Sequence, residues 1–350
     1  MSLGPPKHLH LGDDGSAVLD VQARLIALGY PIGGSERGTF GPHTQSAVKT
    51  FQVRRGLSPD GIVGDHTWRE LVEAGRTLGS RTLYLRGPGR MMRGDDVREL
   101  QRRLNALGFD AGKEDGIFGF ETDLALRVFQ KNTGLASDGY AGHDSFDALD
   151  RLRRRIGPGS KAELRERLAR ELSVGVGGRT VFLDPAHGGH DVGCVTAPGI
   201  PEAYVVYRVA ESASAELTTR GATPVLSRAV QQGPDEDRRC EVANARSADL
   251  AVSFHLACRV DPGPTVAFWS VEGRHSPTGR ALAESIGEAL RPRLGPTQIL
   301  GRNLPFLRQT RMPAVVVDLA CPGNDVLVSE DPYLEALGEA VAAGIETYFG

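Results

Sequence analysis

The sequence predicts a multidomain protein: two small all-α three-helix repeats, then an α/β domain with a mostly parallel sheet covered by helices. Three observations carry this expectation. The first 150 residues contain one helical pattern twice. From residue 180 onward, short Val-rich runs alternate with helical stretches. Between them, residues 151–179 combine a basic run, a Gly-Pro-Gly break and a charged helical segment, as a solvated linker does. The boundaries that follow are 1–78 and 79–155 for the repeats, 156–179 for the linker and 180–350 for the α/β domain.

The repeat is read from "GSAVLDVQARLIALGY", starting at Gly15, and "GDDVRELQRRLNALGF", starting at Gly94. Apolar residues fall at Val18, Val21, Leu25 and Leu28, and at Val97, Leu100, Leu104 and Leu107. That spacing lines one face of a helix, which Gly29 or Gly108 then stops. Next come "RGTFGPHTQSAVKTFQ" and "DGIFGFETDLALRVFQ", each read as a glycine turn, a Thr helix start and an apolar face. Each copy closes with a second turn and a short helix, "GLSPDGIVGDHTWREL" and "GLASDGYAGHDSFDAL". The copies differ at Arg37, where the second has Asp115.

In the last part, the runs "TVFLD", "TPVLSR", "ADLAVSFH", "TVAFWSV" and "AVVVDLA" read as buried strands. Helical stretches cover 202–219, 240–247, 277–292 and 333–348. Such alternation builds a sheet covered by helices, in which ligands sit beyond the carboxyl ends of strands. Three strand ends carry His187, His255 and Asp318, and Glu202 opens a helix. Each alone has a plain structural explanation: a turn histidine, a helix-dipole glutamate, a capping aspartate. Together, two imidazoles and a carboxylate make a donor set used by catalytic zinc, with a further carboxylate free to move a proton.

Bulk properties exclude some classes. The net charge of −3, with 40% hydrophobic and 24% charged residues, gives no reason to expect a nucleic-acid partner. No apolar run approaches the roughly 18–20 residues of a membrane span. The N-terminus lacks a secretory signal's apolar core, so the chain as written reads as cytoplasmic, or as a wall protein if exported by an unconventional route. Four cysteines without a CxxC pair read as free thiols.

The order "QxxLxxLGY … GxFGxxT … AVxxFQ … GLxxDGxxGxxTWxxL" resembles the peptidoglycan-binding domain of bacterial wall enzymes, over residues 15–75 and 94–150. "VFLDPAHGGHDVG", Glu202, "VLSR", "RRCEVANARSADLAVSFH" and "RQTRMPAVVVDLACPGN" resemble, in that order, the zinc-dependent N-acetylmuramoyl-L-alanine amidases of the amidase-3 type. This resemblance implies Zn2+ held by His187, Glu202 and His255. It places Asp318 at the position of the catalytic glutamate, in an enzyme that cleaves the amide between N-acetylmuramic acid and L-alanine. It implies peptidoglycan, its muramoyl-peptide fragments or its precursors as partners. His190 falls on a variable position and reads as an exposed turn residue, while Arg228 and Arg239 read as structural salt bridges.

The chain departs from the family pattern at Asp318, at Ala320-Cys321 in place of a glycine-aromatic pair, and at Ala257 in place of an asparagine; Asn324 is kept. Two readings follow. The preferred one is a peptidoglycan-binding zinc amidase. The alternative is a weak or inactive homologue that regulates peptidoglycan precursor synthesis and contacts its enzymes, as in an actinobacterial group with this layout.

Overall fold

The computed structural model describes residues 8–34, 37–87, 90–152, 175–196, 199–256, 263–319 and 330–350. Most of the expected linker, together with Ala257, Cys258, Ala320, Cys321 and Asn324, lies outside them. The chain divides into two compact units, Met1–Arg165 and Glu166–Gly350.

The first unit holds both repeats. Copy one comprises α1 (Ser16–Ala27), α2 (Pro42–Arg54) and α3 (Asp65–Ala74); copy two comprises α4 (Asp95–Ala106), α5 (Phe120–Asn132) and α6 (His143–Leu152). Each copy has its own core, around Phe40 and Phe51 in the first and Phe118 and Phe129 in the second. Arg55 joins them, reaching Glu70 at 2.8 Å and Asp95 of the second copy at 2.9 Å.

A finer repeat underlies the two copies. Gln101 Nε2 donates to Asp115 Oδ1, the Ile117 carbonyl and the Thr122 hydroxyl, while Gln101 Oε1 accepts from Gly116 N. Gln52 and Gln130 clamp the turns at Asp60-Gly61 and Asp138-Gly139 in the same way. Gln22 holds Gly38 N, the Thr39 carbonyl and Thr44, in the turn where Arg37 replaces the aspartate. A buried amide is stable only when both its ends are satisfied, so each glutamine fixes one glycine turn against one helix. Thr44 and Thr122 therefore do not start their helices as expected: Gly41 and Gly119 are the N-caps, and the threonines lie inside as glutamine acceptors.

The second unit runs β1 (Thr180–Pro185), α7 (Glu202–Thr219), β2 (Thr223–Leu226), α8 (Glu236–Ala245), β3 (Leu250–His255), β4 (Thr265–Val271), β5 (Arg274–His275), α9 (Pro277–Leu294), β6 (Gln298–Arg302), α10 (Pro305–Gln309), β7 (Ala314–Asp318) and α11 (Asp331–Phe349). The sheet order is β2-β1-β3-β7-β4-β5, with β6 beside β4. Strands β1, β2, β3 and β7 run parallel, whereas β4 is antiparallel to β7. The β3–β4 connection is too short for the crossover a parallel return needs, of about a dozen residues or more, so β4 reverses. Strand β6 pairs parallel to β4 and was not expected, because "QILGR" has no continuous apolar run.

Alternate residues face opposite sides of the sheet. Val181, Leu183, Val252, Phe254, Val315 and Val317 face the core shared with α7, α9 and α11. Phe182, Ala251, Ala267, Trp269 and Val316 face the smaller core beneath α8 and α10. No helix among the described residues is long and apolar enough to cross a membrane. The free-thiol expectation fails at Cys194, which is disulfide-bonded. Cys240 is free and buried.

Candidate metal centre

Strands β1 and β3 lie side by side in parallel, with Pro185 opposite Phe254. Their carboxyl ends thus reach the same edge, where β3 ends in His255 and the chain beyond β1 turns at His187. Glu202 opens α7 there, buried to 4% exposure. One donor atom from each of His187, Glu202 and His255 lies within 4.8 Å of the other two. His187 Nε2 is 3.1 Å and His255 Nδ1 is 3.4 Å from Glu202 Oε1. Asp318, across from His255 in the β3–β7 register, stands beside this trio. His190 is exposed and takes no part in the cluster.

The surroundings orient His187 and Glu202. His187 sits at φ 61, a left-handed backbone that costs roughly 1–2 kcal/mol outside glycine and is held here by the Gly188–Asp191 bridge. Asp191 Oδ2 lies 2.8 Å from His187 Nδ1, which leaves Nε2 for the centre. Glu202 Oε1 accepts from Leu256 N and Oε2 from Cys194 N, each at 3.0 Å. Gly193 is a necessary absence: a Cβ there would lie 2.6 Å from Glu202 Oε2 and 2.8 Å from His187 Cδ2.

Below the centre, Asp184 is fully buried and binds Arg239 at 3.0 Å and the Ser253 hydroxyl at 2.7 Å. This pins β1 to β3 and α8. Arg239 is thus a salt bridge as expected. Arg228 is not: it donates to the carbonyls of Pro185, Ala186 and Ala203, clamping the His187 turn to α7.

The charges are mutually adjusted. The Glu202 hydrogen bond, helped by Asp191 and opposed by burial, pushes His187 up to about 8. Burial pushes Glu202 up, but hydrogen bonds to His187 and His255 hold its carboxyl far below the ordinary range. Asp318 is raised by burial, against the opposing influence of His255 and a 2.8 Å hydrogen bond from the Thr265 hydroxyl. A buried carboxylate between two imidazoles calls for a cation, either protons or a metal ion.

Sequence reasoning passed over Asp191, although it stands four residues after His187. Thr265 carried no signal, because only the antiparallel β4–β7 pairing sets it opposite Asp318.

Residues 181–347 match the N-acetylmuramoyl-L-alanine amidase family. Residues 14–71 and 93–149 each match the putative peptidoglycan binding domain. The chain is 35% identical over 364 aligned residues to the N-acetylmuramoyl-L-alanine amidase CwlM of Mycobacterium tuberculosis, covering 97% of this chain and 89% of that one. The chain belongs to the N-acetylmuramoyl-L-alanine amidase family. It is also 35% identical to the amidase CwlL of Bacillus licheniformis, over 41% of this chain and 45% of that one. Among solved structures, an N-acetylmuramoyl-L-alanine amidase from Clostridium difficile 630 is similar with a TM-score of 0.45 and 24% identity, over 49% of this chain and 96% of that one. The chain thus joins two repeats of the peptidoglycan-binding type to a hydrolase domain of the amidase-3 type.

Proposed function

We propose that this amidase holds zinc on His187, Glu202 and His255 and cleaves the amide between N-acetylmuramic acid and L-alanine, with Asp318 as its proton-transfer group. The observation that carries the reading is the convergence of two imidazoles and one carboxylate on a single point, with His187 and Glu202 braced from behind. The donor set fits the group: two neutral nitrogens and one oxygen suit a catalytic zinc that keeps a position for water or substrate. When bound, the metal supplies Lewis-acid polarisation and lowers the pKa of a bound water.

The chain's own residues do the rest. Asp191 fixes the His187 tautomer, so that Nε2 presents its lone pair. Glu202 brings the negative charge, and its two backbone donors keep the carboxylate in one orientation. Asp318 takes a proton from the attacking water and returns it to the L-alanine nitrogen as the carbon–nitrogen bond breaks. Its burial, which raises its affinity for a proton, suits that exchange. Thr265 fixes the carboxyl's rotamer. The repeats hold the domain near peptidoglycan.

Metal analysis paired with a muramoyl-peptide cleavage assay tests this. One zinc per chain and release of peptide with a free L-alanine amine are expected, both lost in His187→Ala. Cleavage that persists in His187→Ala, or in chelator-stripped protein, would overturn the assignment.

A further inference from the structure

We infer that Arg302 anchors a carboxylate of the substrate's peptide, one to three residues beyond the scissile amide, and so selects an acidic stem peptide. This rests on the hydrolase reading above and names a substrate feature of the same site.

Arg302 ends β6 and is in register with Trp269 of β4; at the other end of β4, Thr265 is in register with Asp318. Thr265, Ala267 and Trp269 alternate onto one face of the sheet, and Ala267 and Trp269 pack there with Val316. Asp318, two residues beyond Val316, shares that face, and so does Arg302 through its register with Trp269. Both groups therefore lie on the same side of the same sheet.

The guanidinium is half-buried yet poorly compensated. Its hydrogen bond, 3.4 Å to the carbonyl of Gly301, is long and local. Among the described residues no carboxylate lies within ion-pair distance of it, and the acidic group it senses is Asp318. Its neighbours in burial differ. Arg179, Arg208, Arg220 and Arg239 each pair with a carboxylate, and Arg228 is satisfied by backbone carbonyls. A partly desolvated cation that no described side chain neutralises is stabilised by an incoming anion, and a guanidinium prefers the planar fork of a carboxylate.

The distance suits a peptide. Trp269 lies four residue steps along β4 from Thr265, about 13 Å of strand, and the arginine arm can shorten that span by several ångströms. An extended chain covers roughly 3.3 Å per residue, which places the carboxylate within about three residues of the amide held at Asp318.

The test uses the zinc-loaded full-length chain with two substrates, N-acetylmuramoyl-L-alanyl-D-isoglutamate and its counterpart with both glutamyl carboxyls amidated. The wild type is expected to prefer the carboxylate over the carboxamide by about 10-fold or more in kcat/KM. Arg302→Gln should raise KM for the carboxylate substrate by about 10–100-fold, with a much smaller change in kcat, and abolish the preference. Arg302→Lys should restore part of it. Equal use of both substrates by the wild type would overturn the anchor while leaving the hydrolase standing, and needs no variant to fold. If neither substrate is cleaved, calorimetry with L-alanyl-D-isoglutamate decides. Arg302-dependent binding over the diamide peptide supports the anchor while the hydrolase falls, and equal binding of the two peptides overturns the anchor as well.

Discussion

Gln101 in the second repeat and Glu202 in the amidase domain are both buried, at 1% and 4% exposure, yet they serve different ends. The Gln101 amide donates and accepts within its own turn, to partners no more than 21 residues away. Glu202 receives Leu256 N from 54 residues away and faces two histidines that bring positive charge only when protonated. The first arrangement closes on itself and makes structure. The second leaves a convergent, charged gap and makes a site. Burial of a polar side chain therefore says little about function until its partners are counted and their charges balanced.

Substitutions can break that comparison from either side. On the side of the site, Asp191→Ala frees His187 to rotate. Zinc affinity should fall about 10–100-fold, read by competition with a chromogenic chelator, while melting of the repeat unit stays unchanged. Gln101→Ala should do the reverse. It strands Gly116 N–H and opens a small cavity, so calorimetry should show the repeat unit destabilised by about 2–4 kcal/mol. Cleavage of a soluble muramoyl peptide should persist. A loss of zinc binding in Gln101→Ala would contradict the separation of the two regions.

A smaller effect concerns pH. In metal-free protein, His187 is raised from 6.5 to about 8 by its hydrogen bond to Glu202. A group whose folded pKa is raised stabilises the fold fully below its unfolded pKa, and that contribution fades as pH rises through the folded one. The melting temperature of the metal-free protein should therefore decline between about pH 6.5 and 8, and His187→Gln should flatten this decline. Zinc competes with the same proton, so its apparent affinity should rise across that window. A melting temperature independent of pH there would argue against the His187–Glu202 pairing.

Much of this contrast is legible in the sequence. The helices of the repeats follow from local periodicity, and the strands that lead to His187 and end in His255 from short Val-rich runs ended by turns. The four-fold glutamine clamp was missed because its unit is half the length of the repeat that self-similarity made plain. The reversal of β4, and with it the placing of Thr265 against Asp318, depends on a pairing between distant segments that no local pattern encodes. Strand β6, with Arg302 at its end, is held by its neighbour rather than by its own apolar content. Asp191 was in plain view, but its role depends on the left-handed turn at His187. Reading the cysteines as free failed at Cys194, since spacing along the chain cannot say which thiols meet in space.

The most direct test is the zinc-dependent rate of muramoyl–L-alanine cleavage by the wild type beside Asp318→Asn and Asp318→Glu, with zinc content measured in each. The account predicts one bound zinc throughout, turnover in the wild type, a fall of about 10²–10⁴-fold in Asp318→Asn, and activity retained in Asp318→Glu. Wild type and Asp318→Asn both loaded with zinc and both at the background rate, with cleavage only in Asp318→Glu, would contradict it.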